Sequence, residues 1–206
     1  MKYIIYIFFL FFLCQIQAQK TSTKSFSSKG ISTLVIDGNS VFKIVVETAK
    51  TKNISIFSEV RGENNQHVVL FTDIKDKKLH ISSTFHPMFV ANNDKLSAHK
   101  LISIELKLII PENMSLLISS DIALVFLSGN YKYVDAELIN GSFNAEKFYG
   151  NLLVNTIHGD IKLETNWAQV EVSTKHGSVK KEALKPGEHQ ISLNSINGNI
   201  TVKKTE

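Results

Sequence analysis

Leu138-Ile139-Asn140-Gly141-Ser142-Phe143, Thr156-Ile157-His158-Gly159-Asp160-Ile161, Thr174-Lys175-His176-Gly177-Ser178-Val179 and Ser195-Ile196-Asn197-Gly198-Asn199-Ile200 repeat one short pattern. Their glycines lie 18, 18 and 21 residues apart. A fainter copy sits 18 residues before the first, with Ala123 in the glycine place and Val125 in the apolar one. The same spacing aligns Leu116, Val134, Leu152, Val170 and Ile191, and then Ile118, Ala136, Val154, Val172 and Leu193. Apolar residues alternate with polar ones on either side of each glycine, the period of a half-buried strand. A repeat near 18 residues is too short for a helical array and suits one coil of a β-solenoid. Successive coils would stack about 4.8 Å apart, and identical columns would become ladders along the axis. The glycine column then supplies either a positive φ or a close backbone approach at the bend. The expectation is an all-β chain whose N-terminal strands lead into a right-handed β-helix or β-solenoid with turns of 18–21 residues.

Other columns fall in the same register. Tyr131, Tyr149 and Trp167 are each 18 residues apart. They read as a stacked aromatic ladder closing one corner, or as a row of exposed rings that stack on sugar faces, a candidate ligand surface. Asn140, His158, His176 and Asn197 precede the glycines Gly141, Gly159, Gly177 and Gly198. They form a structural turn ladder whose amides and imidazoles satisfy one another along the stack. His158 and His176, one repeat apart, are too few for a metal centre, which needs three or four converging ligands. Glu146, Glu164 and Glu182 share a column that Lys162 and Lys180 would relieve, a solvated charge stripe. The Gly-Asp nonapeptides of calcium-binding β-rolls are absent, so neither metal nor cofactor is expected.

Upstream of the repeats the strands lack a clean period. Thr33–Ile36, Val41–Val46, Asn53–Phe57, His67–Phe71, Leu79–Ser82 and Leu101–Ile110 alternate, separated by turn residues such as Asp37-Gly38-Asn39. Phe85–His99 is the one long irregular stretch, a core cap or a recognition loop. The last residues, Val202-Lys203-Lys204-Thr205-Glu206, place charge where the final coil would offer an open edge.

The chain of 206 residues is 43% hydrophobic and 20% charged, with a net charge of +4, which argues against disorder and fibrous folds. A single arginine among 23 basic residues argues against nucleic-acid binding. Met1-Lys2, the apolar run Tyr3–Leu13 and the small Ala18 describe a signal peptide over 1–18, too short to span a bilayer. Cys14 could be lipidated only if the bulky Phe12-Leu13 were accepted ahead of it, so cleavage after Ala18 is preferred. A flexible Ser/Thr/Lys leader is expected over 19–29. A single all-β domain follows over 30–206, with irregular strands over 30–114 and repeats over 115–203. No later apolar run reaches membrane length, so the mature chain has no transmembrane span.

The order of export signal, strands, a strand ending in Ile109-Ile110-Pro111, and Ile-Asn-Gly or Ile-His-Gly turns resembles the auto-transporter adhesin head GIN domain family of exported bacterial proteins. That resemblance implies a β-helix-like fold and a periplasmic or cell-surface setting, and brings no functional residues with it. The leading expectation is a non-enzymatic envelope or adhesion domain whose partner is a surface glycan or an envelope protein. A periplasmic protein-binding or sensor module is the alternative. A polysaccharide-active enzyme is the third reading: Asp135 and Glu137 share a strand face and Asp160 follows a turn, but two carboxylates need a scissile bond between them. No base or arginine clamp is evident beside them, and with Arg61 lying outside the repeats a lyase's basic residue in a calcium-lined groove is not expected.

Overall fold

The computed structural model describes residues 20–62, 65–85 and 102–205. In chain order the strands are β1 (Lys20–Ser27), β2 (Thr33–Asp37), β3 (Lys43–Ala49), β4 (Asn53–Arg61), β5 (Val68–Lys75), β6 (Lys78–Phe85), β7 (Ser103–Pro111) and β8 (Ser115–Ser120). They continue as β9 (Leu124–Leu138), β10 (Phe143–Thr156), β11 (Ile161–Thr165), β12 (Ala168–Thr174), β13 (Val179–Lys181), β14 (His189–Ser195) and β15 (Ile200–Lys204). All belong to a single curled, open sheet. The signal peptide expected over 1–18 and nearly all of Phe85–His99 lie outside the described residues.

Two ranks of strands run along the sheet. One contains β6, β2, β8, the second half of β9, the second half of β10, β14 and β12, all parallel. The other contains β7, β3, the first half of β9, the first half of β10, β11, β15 and β13. Alternate residues of both ranks point inward and meet in one core: Leu79, Leu34, Leu116, Val134, Leu152 and Ile191 from the first, Leu106, Ile44, Val125, Phe143, Ile161 and Ile200 from the second. Each is essentially without solvent exposure. Burying a side chain of this size contributes roughly 1.5–3 kcal/mol, and no single layer could bury its own. The glycine turns define one long edge of the stack, here the turn edge. The bends that carry the chain into the next layer define the opposite corner edge.

The apolar columns read from the repeat are the observed register: Leu116 pairs Val134, which pairs Leu152. The order of layers differs from the order of repeats. Leu152 pairs Ile191, and Ile191 pairs Val170, so the last repeat lies between the two that precede it in sequence. The same insertion occurs at the other end, where β2 lies between β6 and β8. Coils laid down strictly one after another are therefore corrected by the structure. Side-chain composition supplies a reason. The inserted β14–β15 brings Ile191, Leu193, Ile200 and Val202, all buried, whereas β13 is exposed along its whole length. Placing the more polar repeat outermost caps the stack, as terminal repeats generally do.

The opposite end is closed by antiparallel strands, β5 on β6, β4 on β7, and β1 on β4. The leader expected to be flexible over 19–29 is thus largely strand β1. Its alternating Lys, Ser and Thr residues suit an edge strand, and it is fixed by side chains: Lys20 Nζ donates to Gln66 O and Val68 O, and Lys24 Nζ donates to Leu70 O. The strands of 30–114 are likewise drawn into the stack, β2–β3 and β6–β7 forming layers in register with the repeats.

Candidate binding groove

The glycine column is a ladder of close approaches. A Cβ on Gly159 would sit 1.9 Å from Gly141 O, on Gly198 1.8 Å from Gly159 O, and on Gly177 2.0 Å from Gly198 O. None of these glycines has a positive φ, so close approach, and not an unusual backbone angle, requires them. Hydroxyls three residues upstream tie the layers together. Thr156 Oγ1 donates to Gly141 O, Ser195 Oγ to Gly159 O, and Thr174 Oγ1 to Gly198 O at 2.8–3.2 Å. Two of those hydroxyls also accept from their own turns, from Gly198 N and Gly177 N. This Ser/Thr column is visible in the repeated segments but is not among the residues singled out from sequence.

The Asn/His column is interleaved by the swapped layers. Asn140 N donates to Asp121 O, His158 N to Ile139 O, Asn197 N to Ile157 O, and His176 N to Ile196 O. Asn197 therefore stands between the two histidines, and its Nδ2 lies 3.0 Å from His158 Nδ1. The same order separates the carboxylates of Glu164 and Glu182, because β15 lies between β11 and β13 and sets Lys203 opposite Glu164. Among the described residues, no three His, Cys, Asp or Glu side chains gather as a metal-ligating group.

The aromatic residues do not form a row. Tyr131 is buried, its ring stacked 5.4 Å from that of Phe148 and its hydroxyl donating to Val46 O at 2.7 Å. Desolvation holds that hydroxyl well above the usual phenol range. A bulge at Lys147, with φ at 47°, shifts the register so that Tyr149 pairs Asn130 instead of Tyr131. Trp167 is half-exposed on the loop from β11 to β12, with Lys185 Nζ 4.6 Å from its ring centroid. Tyr131 thus presents no face to a ligand, while Tyr149 is half-buried and Trp167 has a cation over its ring.

Carboxylates expected of an enzyme are likewise dispersed. Asp160 Oδ1 accepts from Asn199 N and Nδ2 in the turn ladder. Asp135 Oδ2 accepts from Tyr133, and desolvation followed by the carboxylate charge raises the phenol's pKa. Glu137 is exposed and faces a feature of the repeats shaped to hold a ligand.

That feature is a groove of about 470 Å³ along the turn edge. One wall is a ladder of three exposed isoleucines, Ile139, Ile157 and Ile196, each the residue before the Asn or His of its turn. The other is the outward column Ser119, Glu137, Asn155, Asn194 and Ser173, in register across five layers. Asn194 Nδ2 donates to Asn155 Oδ1 at 3.1 Å and so orients both amides. Four layer spacings make the groove about 19 Å long. Its walls offer apolar contact on one side and donors and acceptors on the other. The repeated Ile at one position was the signal in the sequence, but only the exposure of that row separates it from the core columns.

Against known proteins, no family model matches the chain and no curated protein matches it. Solved structures do. A "putative cell adhesion protein" from Clostridium sporogenes superposes with a TM-score of 0.65 at 14% identity, covering 91% of this chain and all of that one. The likeness is one of fold. A "putative adhesin" from Bacteroides fragilis matches at 11% identity and a TM-score of 0.38, over 92% of this chain and 99% of that one. A "putative lipid binding protein" from Parabacteroides distasonis matches at 12% identity and a TM-score of 0.30, over 91% and 97%. The chain has an adhesin-like, all-β fold.

Proposed function

We propose that this protein is a non-enzymatic β-solenoid, wound right-handed and exported through residues 1–18, that acts by surface contact in adhesion or envelope interaction. The observation that carries the reading is the turn-edge groove, where five layers repeat the same polar column beside the isoleucine ladder. Such a surface fits an extended chain lying along the stack, a surface glycan or a segment of an envelope protein, touching equivalent groups at each layer. The strand order and glycine turns support membership of the GIN domain family, and the adhesin-like fold of the Clostridium protein agrees with that assignment. The scattered carboxylates support binding over hydrolysis.

The test has two parts. Protease shaving of intact cells, read against a known periplasmic protein, digests this chain first if it is displayed on the surface. Survival until the outer membrane is opened replaces adhesion by the periplasmic partner-binding reading. A glycan and peptide array probed with wild type and with Ile157→Asp/Asn194→Ala then locates the site. At least about tenfold weaker binding by the variant, with unchanged melting temperature, is expected of a hot spot in the groove.

A further inference from the structure

The opposite long edge carries a charge that the groove does not use. At the β5 end of the stack three corner loops touch: Ser28 N and Oγ both donate to Lys52 O, and Ser32 N donates to Lys77 O. These loops and the strand ends beside them hold Lys29, Lys50, Lys52, Lys75, Lys77 and Lys78 against Asp76 alone, six positive charges and one negative. All six lysines are exposed. Other lysines are engaged: Lys43 with Glu105, Lys107 with Glu47, and Lys20, Lys24 and Lys181 with backbone carbonyls. Among the described residues, none of these six ammonium groups makes a hydrogen bond or ion pair. Like charges gathered in this way repel one another in the free protein, which an anionic partner relieves.

The charge continues along the edge. Lys132 and Lys147 are exposed where β9 and β10 pass from one rank to the other, and Lys185 is exposed in the loop before β14. Of the acids there, Glu112 accepts from Asn130 Nδ2 and Glu182 from Lys204 N, while Glu146, beside Lys147, and Glu188 are exposed. Among the described residues, the turns from β2 to β3 and from β8 to β13 differ, with Asp37, Asp121, Glu137 and Asp160 against Lys175.

We propose that the corner edge is a second binding site, for a linear anionic polysaccharide bearing carboxylate or sulfate groups. Lysines are compact, hydrated point charges that pair with such groups without the planar fork required for bases or bidentate phosphate recognition. A row of cations following the stack axis suits a chain running along it. A bilayer surface is less well matched. Basic membrane sites add apolar side chains that enter the interface. In these three loops Ile31 packs against the core, and the exposed Ile74 stands on β5. The site is separate from the turn-edge groove, so the failure of either leaves the other standing.

The experiment titrates the protein with polygalacturonate and with dextran sulfate, at about 50 mM and about 200 mM salt. Wild type should bind at least one of them and weaken at least tenfold at the higher salt. The triple variant Lys29→Glu/Lys50→Glu/Lys52→Glu should lose at least about tenfold, whereas Lys162→Glu/Lys175→Glu/Lys180→Glu, with the same net charge, should lose less than about threefold. Matching melting temperatures show that both variants are folded. Equal loss in the two variants, no binding at low salt, or binding confined to vesicles containing phosphatidylglycerol would overturn the proposal.

Discussion

At the scale of single residues, the glycine ladder is the most exacting feature. Gly159 lies against Gly141 O on one side, and its own carbonyl faces Gly198 on the other. Gly159→Ala forces two layers apart where the neighbouring atoms are backbone and cannot yield. The expected cost is about 2–4 kcal/mol, read from urea unfolding midpoints, against less than about 0.5 kcal/mol for the exposed Asn140→Ala. A cost for Gly159→Ala equal to that for Asn140→Ala would show the ladder to be decorative. The glycines were legible because they recur at one spacing. The fate of Tyr131 and Tyr149 was not, because the bulge at Lys147 moves one ring out of the column without altering the spacing on either side.

At the scale of elements, both open ends are guarded by lysines that reach across to carbonyls of the other rank. Lys20 and Lys24 of β1 donate to the edge of β5, and Lys181 of β13 donates to Val170 O of β12. An unpaired strand edge is a template for association, and a charged side chain laid over it blocks that pairing. Lys20→Ala/Lys24→Ala should therefore raise self-association, seen as a concentration-dependent shift in sedimentation velocity. A variant that stays monomeric at all concentrations would show that these lysines do not guard the edge. Charge at the end of the chain was foreseeable from Lys203 and Lys204. The residues that guard the edges lie elsewhere, because β15 is an interior layer and β13 is the terminal one.

At the scale of the whole molecule, the swapped layers make the last repeat a structural wedge. β12 pairs only with β14, and β13 only with β15. Ending the chain after Glu182 should therefore strip hydrogen-exchange protection from 168–181, although those residues remain. In a stack built in sequence order, the same truncation would leave them protected by 152–165. Retained protection would refute the observed order. The two long edges also differ as wholes, one carrying a groove with an acidic rim and the other a lysine row, so the two proposed sites do not overlap.

The repeat spacing by itself determined the all-β class, the inward columns from Leu116 to Ile191 and the glycine bends, because side-chain period and turn geometry are local properties. The order of the layers, the burial of Tyr131, the exposed isoleucine groove and the meeting of three lysine loops were decided only by tertiary structure. Every repeat presents nearly the same edge, so hydrogen bonding alone scarcely distinguishes one neighbour from another. The choice falls to how much apolar surface each repeat must hide. The repeat built on Ile191, Leu193, Ile200 and Val202 goes inside, and the polar repeat before it takes the end.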